Sequence, residues 1–304
     1  MVKNYFSKFL DPFPTIDEYI ERSKKIKGYN MARASIEMLL WDYYSKLENK
    51  PLYDFIGESR GYANVGISIG MDEVEKMIQR IDEALKLGYK RIKVKIKKGM
   101  EMDILGKIRD VFPEIPLTAD ANSDYTIKDI DLLKRIDKFN LIYIEQPLAF
   151  DDLIDHAKLR KEISTPICLD ESITSPDKAR KAFEIGAGDV INIKPGRVGG
   201  IKNSLEIAKI AREYGGHVWI GGMLETGIGR SFNISLASHS LIDYPGDTSP
   251  NSKYFEKDIV KKTFEMNNGI IYPFKDPGIG TSIDHEFFLS KIISSGVIIN
   301  NGKA

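Results

Sequence analysis

Five ionisable residues recur along the chain at a near-constant interval. They are Lys95, Asp120, Glu145, Asp170 and Lys194, in steps of 25, 25, 25 and 24 residues. Each ends, or nearly ends, a short apolar run, as in Ile92-Lys93-Val94-Lys95, Leu141-Ile142-Tyr143-Ile144-Glu145 and Val190-Ile191-Asn192-Ile193-Lys194. Near-continuous apolar runs of this length read as parallel strands covered on both faces. A charge closing each run lies at one rim of the sheet, and in a β/α barrel that rim is where chemistry is done. Asp120, Glu145 and Asp170 come from consecutive strand ends about 4.8 Å apart, so their side chains can converge on one cation. All-oxygen ligation suits Mg²⁺ or Mn²⁺ over zinc, and three protein ligands leave positions for water and a substrate carboxylate.

Lys95 and Lys194 flank the carboxylates in sequence and are expected on opposite sides of the barrel mouth. An amine near a divalent cation and a second ammonium loses its proton more readily. Lys93, two residues earlier on the same strand, points to the same face and supplies that second charge. A neutral lysine beside a metal-bound carboxylate substrate is a competent base for the α-proton, with the metal stabilising the resulting enediolate. Taken singly, each residue has a plainer reading. Any one carboxylate could be a solvated loop residue, and Arg91, Lys93, Lys95, Lys97 and Lys98 could be an ordinary basic run. For the three carboxylates in register between two lysines the shared spacing favours the site, while for the lysines the plainer reading stays open on these grounds.

The elements that must position these groups follow from periodicity. Residues 1–60 read as helical. Thr15 and Glu18 have the spacing of a capping box for a first helix ending by Gly28, and a second helix runs from about Asn30 through Lys46. From Ala63 the pattern becomes strand, helix, strand, helix. Val65-Gly66-Ile67-Ser68-Ile69 is the first strand, and a stripe of Val74, Met77, Ile78, Ile81 and Leu85 is the first barrel helix, stopped at Gly88. Strands are expected near 91–97, 115–120, 141–146, 166–170, 189–194 and 217–221. Helices are expected over 101–111, 127–138, 152–162, 175–185, 200–214 and 226–239, with a last barrel element around 240–244. Such alternation implies right-handed βαβ units and a parallel sheet. Three regions result: a helical part of a capping domain over 1–60, a barrel over 61–248, and a segment over 249–304 that packs back on the first.

The composition fits a soluble enzyme, and the site described above would take a small-molecule carboxylate as its substrate. The 44 basic and 44 acidic residues among 304 favour neither nucleic acid nor an anionic membrane. The longest apolar runs are strand-length, short of the roughly 20 residues of a membrane span. Residues 1–6 have no apolar core or cleavage site of a leader. The single cysteine, Cys168, lies inside an apolar strand, where it reads as a small core residue of a cytoplasmic protein.

Six tracts carry a resemblance: Arg91-Ile92-Lys93-Val94-Lys95, Asp120-Ala121-Asn122, Ile144-Glu145-Gln146-Pro147, Asp170-Glu171-Ser172, the run from Asn192 to Gly200, and the run from Gly221 to Arg230. They resemble the enolase superfamily and, within it, the muconate-lactonising subgroup. With Pro245-Gly246-Asp247-Thr248-Ser249 they are most similar to the o-succinylbenzoate synthase and N-acylamino acid racemase branch. The resemblance implies a TIM-like (β/α)7β barrel with a partial, N-terminally truncated α+β capping domain. It implies Mg²⁺ on Asp120, Glu145 and Asp170, with Lys95 and Lys194 as the acid/base pair and Lys93 assisting Lys95. Asn122 and Glu171 would orient the ligands, and Ser68 with the backbone around Gly222, Met223 and Leu224 would contact substrate. His156, His217, His239 and His285 match no catalytic position of the family. Dehydration in menaquinone biosynthesis is the leading implied activity and racemisation the alternative. Relatives carry further residues before the point matching Met1, forming a strand meander and a mobile lid. The expectation is therefore a chain without that lid, with exposed apolar surface on 29–44 favouring a homo-oligomer. The opposing reading is an inactive remnant.

Overall fold

Thr15 accepts a hydrogen bond from the Glu18 amide at 3.2 Å, and the Glu18 carboxylate takes the Thr15 amide at 2.8 Å. The expected capping box therefore opens helix α1 (Ile16–Ser23). This computed structural model describes residues 6–293 and 295, so the leader reading at 1–5 lies outside the described residues. After α1 come α2 (Asn30–Leu47) and α3 (Leu52–Ile56), then β1 (Ala63–Asn64) running directly into β2 (Gly66–Ile69). The alternation continues through α4 (Val74–Lys86), β3 (Arg91–Lys95), α5 (Glu101–Val111), β4 (Leu117–Asp120), α6 (Ile130–Lys134), β5 (Ile144–Glu145), α7 (Ile154–Leu159) and β6 (Ile167–Leu169). It ends with α8 (Pro176–Glu184), β7 (Val190–Ile193), α9 (Pro195–Val198), α10 (Ile201–Glu213), β8 (His217–Ile220) and α11 (Gly227–Ala237). A short strand β9 (Ile270–Ile271) and helix α12 (His285–Lys291) follow.

Strands β2 to β8 form one parallel sheet in sequence order. The sheet curls shut through 244–247. Gly246 bonds to Asn64 and Gly66, while Tyr244 and Asp247 bond to Val218 and Ile220. The closing element thus lies a few residues beyond the expected 240–244. Two other expectations change in detail. The helix expected at 127–138 is one short α-helical stretch between two 3₁₀ turns, Ile127–Asp129 and Arg135–Phe139. The segment after β7 divides at Gly199 and Gly200, both at positive φ, into α9 and α10.

Burial explains why the strands read as unbroken apolar runs. Their outward residues, such as Ile92, Val94, Ile144, Ile167 and Ile193, pack against the helices in one large cluster. Their inward residues form a separate layer inside the barrel, built on Tyr143, Cys168, Val190 and Trp219. Cys168 is buried there, as expected of a core residue. Glu145 and Asp170 stand one pleat above this layer, two positions beyond Tyr143 and Cys168 on the same strands. The chain after the barrel returns to the first helices. Leu52 N donates to Gly278 O at 2.7 Å, Ile279 N donates to Asp42 Oδ1 at 2.8 Å, and β9 pairs antiparallel with β1. Tyr29, Met31, Leu39, Tyr43 and Leu47 of the second helical segment stay exposed.

Candidate active site

The strand register brings Lys95, Asp120 and Glu145 level, since Lys95 pairs with Asp120 and Asp120 with Glu145. The next step differs. Glu145 pairs with Cys168 and Leu169 with Ile191, so Asp170 stands two residues higher than Glu145 and Lys194 two higher again. Equal spacing along the chain therefore becomes a staggered rim, the shear that closing a barrel requires. Counting 244–247 as the eighth position, β3 and β7 are four positions apart, which sets Lys95 and Lys194 across the mouth from each other.

Lys93 is the hub of the buried part. Its Nζ lies 2.7 Å from Glu145 Oε2, 3.1 Å from Asp247 Oδ2 and 3.6 Å from Asp120 Oδ2. Burial alone would lower its pKa, but Asp247, Glu145 and Asp120 outweigh burial and hold it well above the usual lysine value. Its neighbours thus favour the charged form. Lys95 donates to Asn122 Oδ1, and the Asn122 amide donates to Asp120 Oδ1 at 3.1 Å. Asn122 thus touches both a lysine and a carboxylate. Lys194 Nζ lies 2.7 Å from Asp170 Oδ2, and Arg197 Nη1 approaches Asp170 Oδ1 at 2.5 Å. Burial would raise the Asp170 pKa, but Arg197 and Lys194 bring it below the carboxylate norm.

Glu145 behaves differently. Burial drives its pKa up, Lys93 pulls it down, and Asp120, Asp170 and Asp247 push it up again, to about 8. Its cation is shared with two other carboxylates. Glu171, expected to orient the ligands, makes no such bond. Its Oε2 is buried without a partner, and burial followed by the Asp170 charge raises its pKa. Ser68 Oγ donates to Asp247 Oδ2 at 2.8 Å, so its hydroxyl faces the site. Gly222 lies hard against the backbone of Asp247, where a Cβ would meet that carbonyl oxygen at 2.1 Å. Met223 and Leu224 are 45% and 74% exposed at the same rim. His156 is spent on Asp152 and the Leu148 amide, and His217 pairs with Asp243 on the opposite face of the barrel.

Among the described residues no three acidic, histidine or cysteine side chains stand as a ready metal cage. The oxygens of Glu145 and Asp170 are turned to Lys93, Lys194 and Arg197 instead. The donor set nevertheless fits a hard divalent cation. It is all carboxylate, Glu171 carries an unpartnered buried oxygen, and Glu145 lacks a countercharge of its own.

Several groups that complete the site were not singled out from sequence. Asp247, on the closing element, accepts from Ser68, Lys93 and Arg91. Burial would raise its pKa, but Lys93 and Arg91 drive it far below the usual range. Arg91 is fully buried, with its guanidinium 4.6 Å above the Trp219 ring. Asn192 donates to Glu145 Oε1 at 2.7 Å. Gln146, at φ 36°, accepts from the Asp170 amide at 2.9 Å and the Ser172 hydroxyl at 3.1 Å, tying the β5 loop to the β6 loop. For Arg91 and Asn192 the available signal was position, on the inward face of strands already identified; Asp247 and Gln146 carried no such signal. A cavity of about 790 Å³ is lined by Ser68 itself, by Glu83 and Leu87 near α4, and by Lys253, Phe264 and Met266, and holds none of the expected lysines or carboxylates.

Parallel strands, a closing eighth element and carboxylates with lysines at the C-terminal rim define a β/α-barrel enzyme. The chain belongs to the enolase C-terminal domain-like family, whose model matches residues 76–287. It is 45% identical over 275 residues to an o-succinylbenzoate synthase of Geobacillus stearothermophilus, covering 90% of this chain and 73% of that one. It is 44% identical to an N-succinylamino acid racemase of Thermus thermophilus, covering 90% and 74%. A solved enolase-superfamily structure from Enterococcus faecalis superposes with a TM-score of 0.91 at 37% identity, covering 95% and 79%.

Proposed function

We propose that the protein is a Mg²⁺-dependent o-succinylbenzoate synthase of the cytoplasm, a carbon–oxygen lyase. Lys95 removes the proton α to the carboxylate of a cyclohexadiene hydroxy acid. The same amine, now an ammonium, returns that proton to the departing hydroxyl, which leaves as water while the ring becomes aromatic. Lys194, across the mouth, stays cationic and stabilises the negative charge that grows on the carboxylate. Asp120, Glu145 and Asp170 would hold Mg²⁺, or Mn²⁺, which supplies Lewis-acid stabilisation of the substrate carboxylate. Lys93, held by Asp247 and Glu145, keeps a second positive charge below Lys95. Asn122 orients Lys95, and Ser68 with the backbone at Gly222, Met223 and Leu224 receives the rest of the substrate.

The observation that carries this reading is the opposition of Lys95 and Lys194 across a rim whose intervening strand ends are all carboxylate. Racemisation of an N-acylamino acid is the second reading. It is favoured by the racemase relative and by the same opposition, since a two-base mechanism needs an amine on each face of one carbon. The capping part over 1–60, the barrel over 61–248 and the return segment over 249–304 are the units we assign. The exposed Tyr29, Leu39 and Tyr43 favour a homo-oligomer. Incubation with the cyclohexadiene acid and with each enantiomer of an N-succinylamino acid, with and without Mg²⁺, tests both readings. Dehydration supports the synthase, racemisation alone replaces it, and neither would leave the inactive remnant.

A further inference from the structure

Helix α2 begins without a side-chain cap. Tyr29 occupies the N-cap at φ 50°, and no side chain accepts from the first turn. An asparagine at a helix start commonly turns its oxygen onto its own helix. Asn30 does otherwise: its amide nitrogen donates to Arg197 O at 2.7 Å and to Thr174 O at 3.0 Å. Those two carbonyls belong to α9, the short helix that follows β7 and Lys194, and to the loop that follows β6 and Asp170. Arg197 joins the same loops from the inside. Its Nε donates to Ile173 O at 3.0 Å, its Nη2 to Asn192 O at 2.8 Å, and its Nη1 faces Asp170. Asn30 therefore pins from outside the two segments, α9 and the loop after β6, that Arg197 ties from within. Two turns further along α2, Glu37 holds the next stretch through the Ile201 and Lys202 amides.

We infer that Asn30 is a positioning residue for Lys194, acting through Arg197 and the short helix α9 that follows Lys194, and that it has no such hold on Lys95. The inference rests on the proposed role of Lys194 as one of the two amines at the reacting carbon. The loop after Lys95 is held differently: Lys98 N donates to Asp124 Oδ2 and Gly99 N to Glu101 Oε2, both at 2.7 Å. Among the described residues α2 gives that loop no hydrogen bond. Proton transfer falls steeply with misplacement, by about a hundredfold for 1 Å. Loosening one loop should therefore slow one amine and spare the other.

The test uses Asn30→Asp and Asn30→Gln in the full chain. Aspartate keeps the size and suits a helix N-terminus but cannot donate to two carbonyls, whereas glutamine keeps the donor. Two readouts are taken. One is backbone amide exchange over 172–175 and 196–202. The other is α-proton exchange in D₂O from each enantiomer of an N-succinylamino acid. For Asn30→Asp, those amides should exchange about tenfold faster. Proton exchange on the Lys194 face should fall about tenfold, with the Lys95 face changed less than about twofold. Asn30→Gln should restore part of both. Unchanged amide protection in Asn30→Asp overturns the pin, and equal loss on both faces overturns its selectivity for Lys194. If the wild type neither exchanges an α-proton nor dehydrates the cyclohexadiene acid, the proposed reaction fails, and amide protection alone still decides the pin.

Discussion

Replacing Gly200 by alanine should cost far more stability than one methyl group suggests. Gly200 precedes α10 at φ 128° and ψ −172°, a conformation that side chains strongly disfavour. A Cβ built there would lie 1.2 Å from Glu37 Oε2. Glu37 is 1% exposed and accepts from Ile201 N at 2.7 Å, Lys202 N at 3.0 Å and Trp41 Nε1 at 3.1 Å. The carboxylate is thus the N-terminal cap of α10, supplied by a helix some 160 residues earlier. Backbone strain contributes about 1–3 kcal/mol, and losing the cap with its buried amides adds about 2–3 kcal/mol. The total, about 3–6 kcal/mol, corresponds to a fall in Tm of roughly 6–12 °C at about 2 °C per kcal/mol. Gly61→Ala is the control, because Gly61 also has positive φ, 77°, but nothing within 4 Å of the added Cβ. It should lose only about 1–2 kcal/mol. Urea unfolding of both variants measures the difference. If Gly200→Ala falls within about 1 kcal/mol of Gly61→Ala, the carboxylate cap is not what holds α2 to the barrel.

The same carboxylate should make stability depend on pH. Burial, partly countered by the hydrogen bonds from Lys202, Trp41 and Ile201, raises the Glu37 pKa from 4.5 to about 7. The folded state therefore holds the proton more tightly than the unfolded state. This contribution is fully present below pH 4.5 and is lost as pH rises through about 7, on the order of 3 kcal/mol in all. Urea midpoints measured from pH 5 to pH 8 should fall in the wild type and flatten in Glu37→Gln, and a parallel fall in both would exclude Glu37 as the source. At the rim, Asp120→Asn, Glu145→Gln and Asp170→Asn should each weaken Mg²⁺ binding by calorimetry and abolish turnover while the circular dichroism stays native. Unchanged affinity in all three would refute the ligand set. Lys95→Ala should abolish α-proton exchange in a synthase. Lys194→Arg, which keeps the charge but is no base near neutral pH, should retain some turnover. Equal exchange of both enantiomers by Lys95→Ala would end the two-base scheme.

What the sequence determined by itself was local and periodic. The 25-residue step, the apolar runs and the Thr15–Glu18 cap depend on residues near one another in the chain, where strand and helix periods act directly. They sufficed to find seven strands and to set Lys95 and Lys194 on opposite strands. Alternation also determined that Lys93 and Lys95 share a face. The tertiary structure decided how the polar groups are paired. Closing the barrel shifted the register between β5 and β6, lifting Asp170 and Lys194 above Glu145. It also made a strand position of 244–247, whose short run after Tyr244 has no apolar periodicity, and so delivered Asp247 to Arg91, Lys93 and Ser68. Asn30, Glu37 and Gln146 look like ordinary polar residues in sequence. Each bonds to backbone atoms in segments that only closure of the ring brings near, and a buried amide or carbonyl takes whichever partner the fold leaves within about 3 Å. Hydrophobic periodicity records which face a residue turns inward, but not which distant carbonyl or carboxylate will meet it there.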